Sequence, residues 1–288
     1  MMGTMTSGVC AIEVTGLSKS YGSQHALRGV DFTVARGEVF GLLGPNGAGK
    51  TTCVEVLEGY RARDAGEVRV LGHDPGDRPA DMRARVGIVL QSCGTYPHLT
   101  VRETVEHWAS LYPAPRRVDE VLALAGLDDC AARRARTLSG GQARRLDFAL
   151  ALVGDPELIF LDEPTTGFDP KARRAAWDVV RALRDLGKTV VLTTHYLDEA
   201  QALADRVAIL QDGLILAEGA PHALGASRYR VAWRAADGTL EQRFTEDPTA
   251  LLATLTAEAL ARGERLEDLS VTRPSLEDVY LELTEAVA

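Results

Sequence analysis

At 288 residues, with 45% apolar and 25% charged side chains, the chain has room for one large domain and a small one and can bury a sizeable core. Its 32 Lys and Arg stand against 41 Asp and Glu, a net charge of −9 that argues against broad, sequence-independent binding to nucleic acid or anionic lipid. Cys10, Cys53, Cys93 and Cys130 form no C-x-x-C pair, which argues against zinc and disulfide frameworks and fits a reducing cytosol, and no run of about 18 apolar residues is available to span a bilayer.

Residues 1–10 carry three methionines among Gly, Thr and Ser, lack the basic start and apolar core of a signal peptide, and read as a disordered arm. Residues 11–17 and 29–34 alternate apolar and polar side chains as half-exposed strands do, with Tyr21-Gly22 in the turn between them. The apolar run at 39–43 suits a buried strand, and it leads into Gly44-Pro45-Asn46-Gly47-Ala48-Gly49-Lys50-Thr51-Thr52 and a helix over 51–60. This run fits G-x-x-x-x-G-K-[ST] at every fixed position. Its glycines let successive N–H groups turn inward on one anion, and the helix that follows adds its positive end. Lys50 supplies a point charge for β and γ phosphates, and Thr51 an oxygen for Mg²⁺.

Residues 66–72 read as another strand, and 85–91 as a buried strand ending on the polar Gln91. From 92 to about 153 the pattern turns helical, with Val101, Val105, Trp108 and Leu111 on one face and Val118, Val121, Leu122 and Ala125 on another. Leu138-Ser139-Gly140-Gly141-Gln142 then precedes a helical segment, making Ser139 a natural N-cap and the glycines a second close approach for an anion. One nucleotide on Lys50 does not need both anion sites.

The strand at 158–161 delivers Asp162 and Glu163 to its C-terminal edge, where ligands of open α/β sheets sit. Adjacent residues point opposite ways, so Asp162 can hold Mg²⁺ or its water while Glu163 polarises the water attacking a γ phosphate, a role worth about 10² to 10⁴ in rate. A helix over 170–186, a strand at 189–192 and a hairpin of 207–211 and 214–217 around Asp212-Gly213 follow. Alternating strand and helix predicts a mostly parallel sheet covered on both faces. Past about 224 the composition shifts to strands at 229–234, 240–244 and 266–271 and helices at 249–261 and after Pro274, read as a separate small α/β domain. Trp108, Trp177 and Trp233 carry no motif and are expected to pack.

The glycine cradle, Gln91, Leu-Ser-Gly-Gly-Gln, Leu-Asp-Glu-Pro-Thr and His195 after Thr193-Thr194 occur in the order of the ABC (ATP-binding cassette) ATPases, and the chain resembles that family over residues 12–224. The resemblance implies a P-loop NTPase fold: an ATPase domain at 11–224 with an antiparallel β subdomain and a helical subdomain at about 93–153, then an accessory domain at 225–288. It implies that two cassettes, most simply two copies, pair head to tail, with Ser139, Gly140, Gly141 and Gln142 of each reaching the ATP held by residues 44–52 of the other. Tyr21 is similar to the aromatic that stacks on adenine, Gln91 to the glutamine that senses Mg²⁺ and the γ phosphate, and His195 to the switch histidine. Asp169 matches the aspartate of the loop that crosses the interface, although Thr166-Gly167-Phe168-Asp169 departs from the usual Ser-Ala-Leu-Asp.

The closing residues 274–284 are similar to the tail of bacterial daunorubicin-resistance and multidrug exporter ATPases. The implied function is the ATP-hydrolysing subunit of a drug or small-molecule exporter, cytoplasmic and held peripherally on the inner membrane face by a separate permease. An importer subunit and a soluble ABC ATPase stand as alternatives. The soluble reading predicts two cassettes in one chain or long heptad arms, and neither is present.

Overall fold

In a computed structural model the residues described are 10–89, 96–224, 229–235, 238–273 and 275–285. They divide between two compact units, Met1–Glu218 and Gly219–Ala288.

The first unit is built on a six-stranded sheet of order β5-β6-β7-β3-β8-β9. Its strands are β3 (Val39–Leu43), β5 (Val86–Val89), β6 (Leu158–Asp162), β7 (Thr189–Thr194), β8 (Arg206–Gln211) and β9 (Leu214–Gly219). The pairs β5·β6, β6·β7, β7·β3 and β3·β8 are parallel, and β9 returns through the two-residue turn Asp212-Gly213. Both turn residues hold positive φ, 49° and 78°, which matches the right-handed twist of the strands they join.

Covering on both faces explains why β3 and β7 are buried at every residue, without alternation. One face meets α1 (Lys50–Leu57) and an antiparallel sheet of order β2-β1-β4, made of β1 (Cys10–Tyr21), β2 (Gln24–Ala35) and β4 (Ala65–Val70). The other meets α5 (Gly140–Leu152), α6 (Pro170–Asp185) and α7 (Leu197–Leu203), where Phe148, Val180, Leu183 and Leu203 pack on Ile159, Leu161 and Val190. Between β5 and β6 the chain leaves the sheet for α3 (Val101–Ala109), α4 (Val118–Leu124) and α5, which share a core of Val105, Leu122, Leu127, Leu146 and Val153. A short α2 (Ala80–Ala84) precedes β5.

The second unit is a three-stranded antiparallel sheet of order β11-β10-β12 with two helices. Its elements are β10 (Tyr229–Arg234), β11 (Leu240–Thr245), α8 (Pro248–Arg262), β12 (Glu267–Thr272) and α9 (Leu276–Glu285). Val231 and Trp233 pack with Leu255 in its small core.

Several expectations change. Cys10 opens β1 instead of closing an arm, and residues 1–9 lie outside the described residues. The first two strands run 12 residues each, because shifts in their shared register break the alternation that marks a strand's ends. Leu111 lies past the end of α3 and is 64% exposed, so the apolar face closes at Trp108. The hairpin's second strand, β9, reaches Gly219. Pro274 lies outside the described residues, and α9 is capped by Ser275, whose hydroxyl accepts from Asp278 N at 3.2 Å.

Candidate functional site

The turn from β3 into α1 builds the cradle. Gly49 sits at the N-cap with φ 107° and Gly47 at φ 85°, torsions that other residues avoid. A Cβ on Gly44 would lie 2.1 Å from the Leu210 carbonyl oxygen, and one on Gly49 would lie 2.3 Å from that of Ala26, so neither position admits a side chain. Pro45, Asn46 and Gly47 are exposed at the lip, whereas Ala48 is buried beneath it. The hairpin turn braces the loop from behind, since Gly213 N donates to Ala48 O at 3.2 Å.

Lys50 is 5% exposed, and its Nζ donates to Gly44 O at 2.8 Å and Pro45 O at 3.1 Å. The same ammonium lies 3.4 Å from Glu163 Oε1, and His195 Nδ1 lies 3.2 Å from that oxygen. The ring is close enough to exchange a proton with the carboxylate, but it is not aligned for a full hydrogen bond. Glu163 takes positive φ, 43°, so the chain leaves β6 there and the carboxylate turns toward Lys50. Partial burial pushes its carboxyl up, but His195, the Thr166 hydroxyl at 3.0 Å and the Lys50 charge outweigh that and hold it below the ordinary glutamate value. Glu163 therefore presents an ionised carboxylate to the cleft, with the His195 ring beside it.

Tyr21, Asn46, Lys50, Thr51, Glu163 and His195 line one cleft of about 620 Å³. Tyr21 projects into it from the end of β1, 42% exposed, with the Arg61 guanidinium 5.2 Å from its ring centre. Thr52 sits on the cleft wall, and Gln91 lies outside the described residues. Asp162, behind Glu163, accepts from Thr193 Oγ1 at 2.5 Å, and Thr193 Oγ1 in turn accepts from Glu163 N at 3.0 Å. The exposed Thr51 lines the cleft, and its hydroxyl and the Asp162 carboxylate are both hard-oxygen donors. Among the described residues no three His, Cys, Asp or Glu cluster as a metal cage. A cation shared with phosphates needs only one or two carboxylates, so Thr51 and Asp162 fit Mg²⁺.

Ser139, Gly140, Gly141 and Asp169 line a different cleft of about 480 Å³, which shares only Thr166 with the first. Ser139 caps α5 through a reciprocal box, its Oγ accepting from Gln142 N at 3.3 Å while its own N–H donates to Gln142 Oε1 at 3.1 Å. A Cβ on Gly140 would meet nothing within 4 Å, so its backbone lies open to the cleft, whereas one on Gly141 would make ordinary contact with Ala172 Cβ at 3.6 Å. Two predicted binding side chains are already engaged within the chain. Gln142 completes the cap of α5, and Asp169 caps α6 by accepting from Lys171 N at 2.9 Å and Ala172 N at 2.8 Å. Phe168, in place of the usual leucine, packs against the core beside α6.

Motif reading missed the hydroxyls of Thr193 and Thr166 and the carboxyl of Glu199. Glu199 is fully buried and joins Thr165 Oγ1 at 2.8 Å to Trp177 Nε1 at 3.1 Å beneath the loop that follows Glu163. Thr193-Thr194 was visible beside His195; what each hydroxyl touches depends on the β6·β7 register, which pairs Asp162 with Thr193. A third cleft of about 490 Å³ runs from the end of α1 to the helical segment, lined by Glu58, Tyr60, Met82, Trp108 and Tyr112. Trp108 packs as expected, with its buried Nε1 facing no acceptor among the described residues, and Trp177 and Trp233 also pack.

The family model described as ABC transporter matches residues 27–166. The daunorubicin resistance ATP-binding protein DrrA3 of Streptomyces coeruleorubidus is 39% identical, the alignment covering 95% of this chain and 96% of that protein. The Nod factor export ATP-binding protein I of Rhizobium sp. (strain N33) is 40% identical over 95% of this chain and 97% of its own length. Among solved structures, an ATP-binding subunit of an ABC transporter superposes with TM-score 0.70 at 25% identity, covering 95% of this chain and 99% of that one. An ATP-binding cassette solved as a dimer in a post-hydrolysis state with ADP and phosphate gives 0.64 at 28% identity, covering 73% and 98%.

Proposed function

The chain belongs to the ABC transporter family as an ATP-binding, ATP-hydrolysing subunit, and from that premise we propose that it powers an exporter of small, largely apolar molecules through a separate membrane permease. Direction is argued from relatives that span nearly the whole chain, accessory unit included, and are named for daunorubicin resistance and Nod factor export. The permease is needed because no helix among the described residues is long and apolar enough to cross a membrane. Its docking place in this reading is the third cleft, and binding there holds the subunit on the inner membrane face.

The observation that carries the mechanism is the convergence of Lys50 and His195 on Glu163 at the mouth of the cradle, while the α5 start lines another cleft. Two copies, head to tail, would sandwich each ATP between the Lys50 cleft of one and the Ser139 cleft of the other. The phosphates draw Lys50 from Gly44 O and Pro45 O, and Tyr21 stacks on the adenine. Water attacks the γ phosphorus, its proton passes to Glu163 Oε1, and ADP leaves as the bond to the β-phosphate oxygen breaks. His195 steadies the water and relays the proton. Asp169 supports the cross-chain loop through the α6 cap. Thr51 and Asp162 would hold Mg²⁺, with Gln91 as a further ligand, and the ion neutralises charge developing on the phosphates.

Glu163→Gln tests this assignment. ATP binding should persist, turnover should fall about 10² to 10⁴-fold, and light scattering should detect an ATP-dependent dimer. Turnover within a few-fold of wild type would remove Glu163 from the proposed role.

A further inference from the structure

The two edges of the β11-β10-β12 sheet are not alike. On β12 the ladder to β10 slips between Ala232 and Arg234, Asp268 is forced to φ 52°, and Glu267 and Asp268 put two acids on the strand. A bulge with charges is the usual protection of a free edge. β11 has neither. All six of its residues pair with β10 without a register shift, no Pro or Gly interrupts it, and its outer edge borders no strand among the described residues. It also exposes apolar side chains, Leu240 at 66% and Phe244 at 46%.

The sequence of that edge is complementary to itself. When two copies of one strand pair antiparallel about a two-fold axis normal to the sheet, facing residues lie on the same face, so one residue must stand on the axis. With Glu241 on the axis two carboxylates oppose, and with Arg243 two guanidinium groups do. With Gln242 on the axis, each Glu241 faces Arg243 of the other copy, each Leu240 faces Phe244, and Gln242 faces itself. Opposite charges and apolar pairs in facing positions stabilise a ladder, and like charges oppose it.

We propose that the edge of β11 is a homodimerisation surface, joining the accessory sheets of two copies into one six-stranded sheet through an antiparallel ladder centred on Gln242. The occupant is a second copy because the charge pattern suits this strand's own reverse. This contact needs no nucleotide and lies outside the cassette clefts, so it would keep two cassettes near each other while ATP is absent.

The test is sedimentation of the full chain without nucleotide at about 50 µM. Wild type should be dimeric, and Glu241→Arg and Arg243→Glu should each weaken association at least about tenfold by setting like charges face to face. An equimolar mixture of the two single variants, or the double exchange in one chain, should restore it, which a merely misfolded unit would not do. A monomeric wild type, unaffected single variants, or no restoration by exchange would each overturn the proposal. The ATP-dependent dimer of Glu163→Gln is read separately and should survive both β11 substitutions, so loss of one dimer does not mimic loss of the other.

Discussion

Two helices in this chain begin as anion sites, and they are built differently. α1 starts from a glycine loop whose approach to Leu210 and Ala26 excludes any side chain, with a buried lysine at its first position and an acid and a histidine facing it. α5 starts from a side-chain cap, Ser139 with Gln142, beside an open glycine, and the carboxylate on its cleft, Asp169, is engaged in capping α6. In the proposed mechanism the first arrangement holds and reacts, and the second only holds. The two lie in clefts sharing a single residue, which is why the proposed mechanism completes each site with a second copy.

The largest effect should come from breaking each start in a separate chain. Lys50→Ala removes the charge at α1, and Ser139→Arg fills the approach at α5, so either variant alone should be inactive. In a mixed dimer both lesions fall in one site and leave the other intact. An equimolar mixture should therefore recover up to about a quarter of wild-type ATPase activity, measured by phosphate release. Full activity of Ser139→Arg alone, or no recovery in the mixture, would mean that α1 works without α5.

A smaller effect lies at the far end of α1. α5 is followed by apolar Val153, whereas α1 is followed by Glu58, 8% exposed, whose carboxyl burial and then the charges of Asp162 and Glu55 push up to about 8. Folding thus retains a proton that the unfolded chain releases above its ordinary value near 4.5, and stability declines as pH rises from there to about 8. Glu58→Gln should flatten that decline, gaining on the order of 2 kcal/mol at pH 8 and little at pH 4. Denaturant melts at both pH values read it, and an equal gap at the two would contradict the buried, protonated acid. The smallest effect should be Tyr21→Ala, which trims the adenine end of the α1 cleft. Its ATP affinity should fall about fivefold by titration calorimetry with the fold intact.

Much of this was legible before any coordinates. The glycine run, the paired acids after an apolar strand and the Asp212-Gly213 turn are local patterns, and each reports its own backbone. The uses of Thr193 and Glu199 were not legible, because they depend on which strand lies beside which and at what register. Nor was it visible that Gln142 and Asp169 would turn to cap their own helices, since the same residue types suit a cap and a ligand equally. The α7 helix escaped notice because one of its three buried residues is an acid, Glu199, which breaks the apolar period.

The hairpin of β8 and β9 carries none of the five motifs, yet Leu210 closes the back of the loop at Gly44 and Gly213 ties down Ala48. During synthesis the glycine loop leaves the ribosome long before those residues exist. A nascent chain can therefore display every phosphate-binding letter and still lack the wall that gives the loop its shape. Competence to capture ATP is therefore expected to wait for the last strands of the cassette.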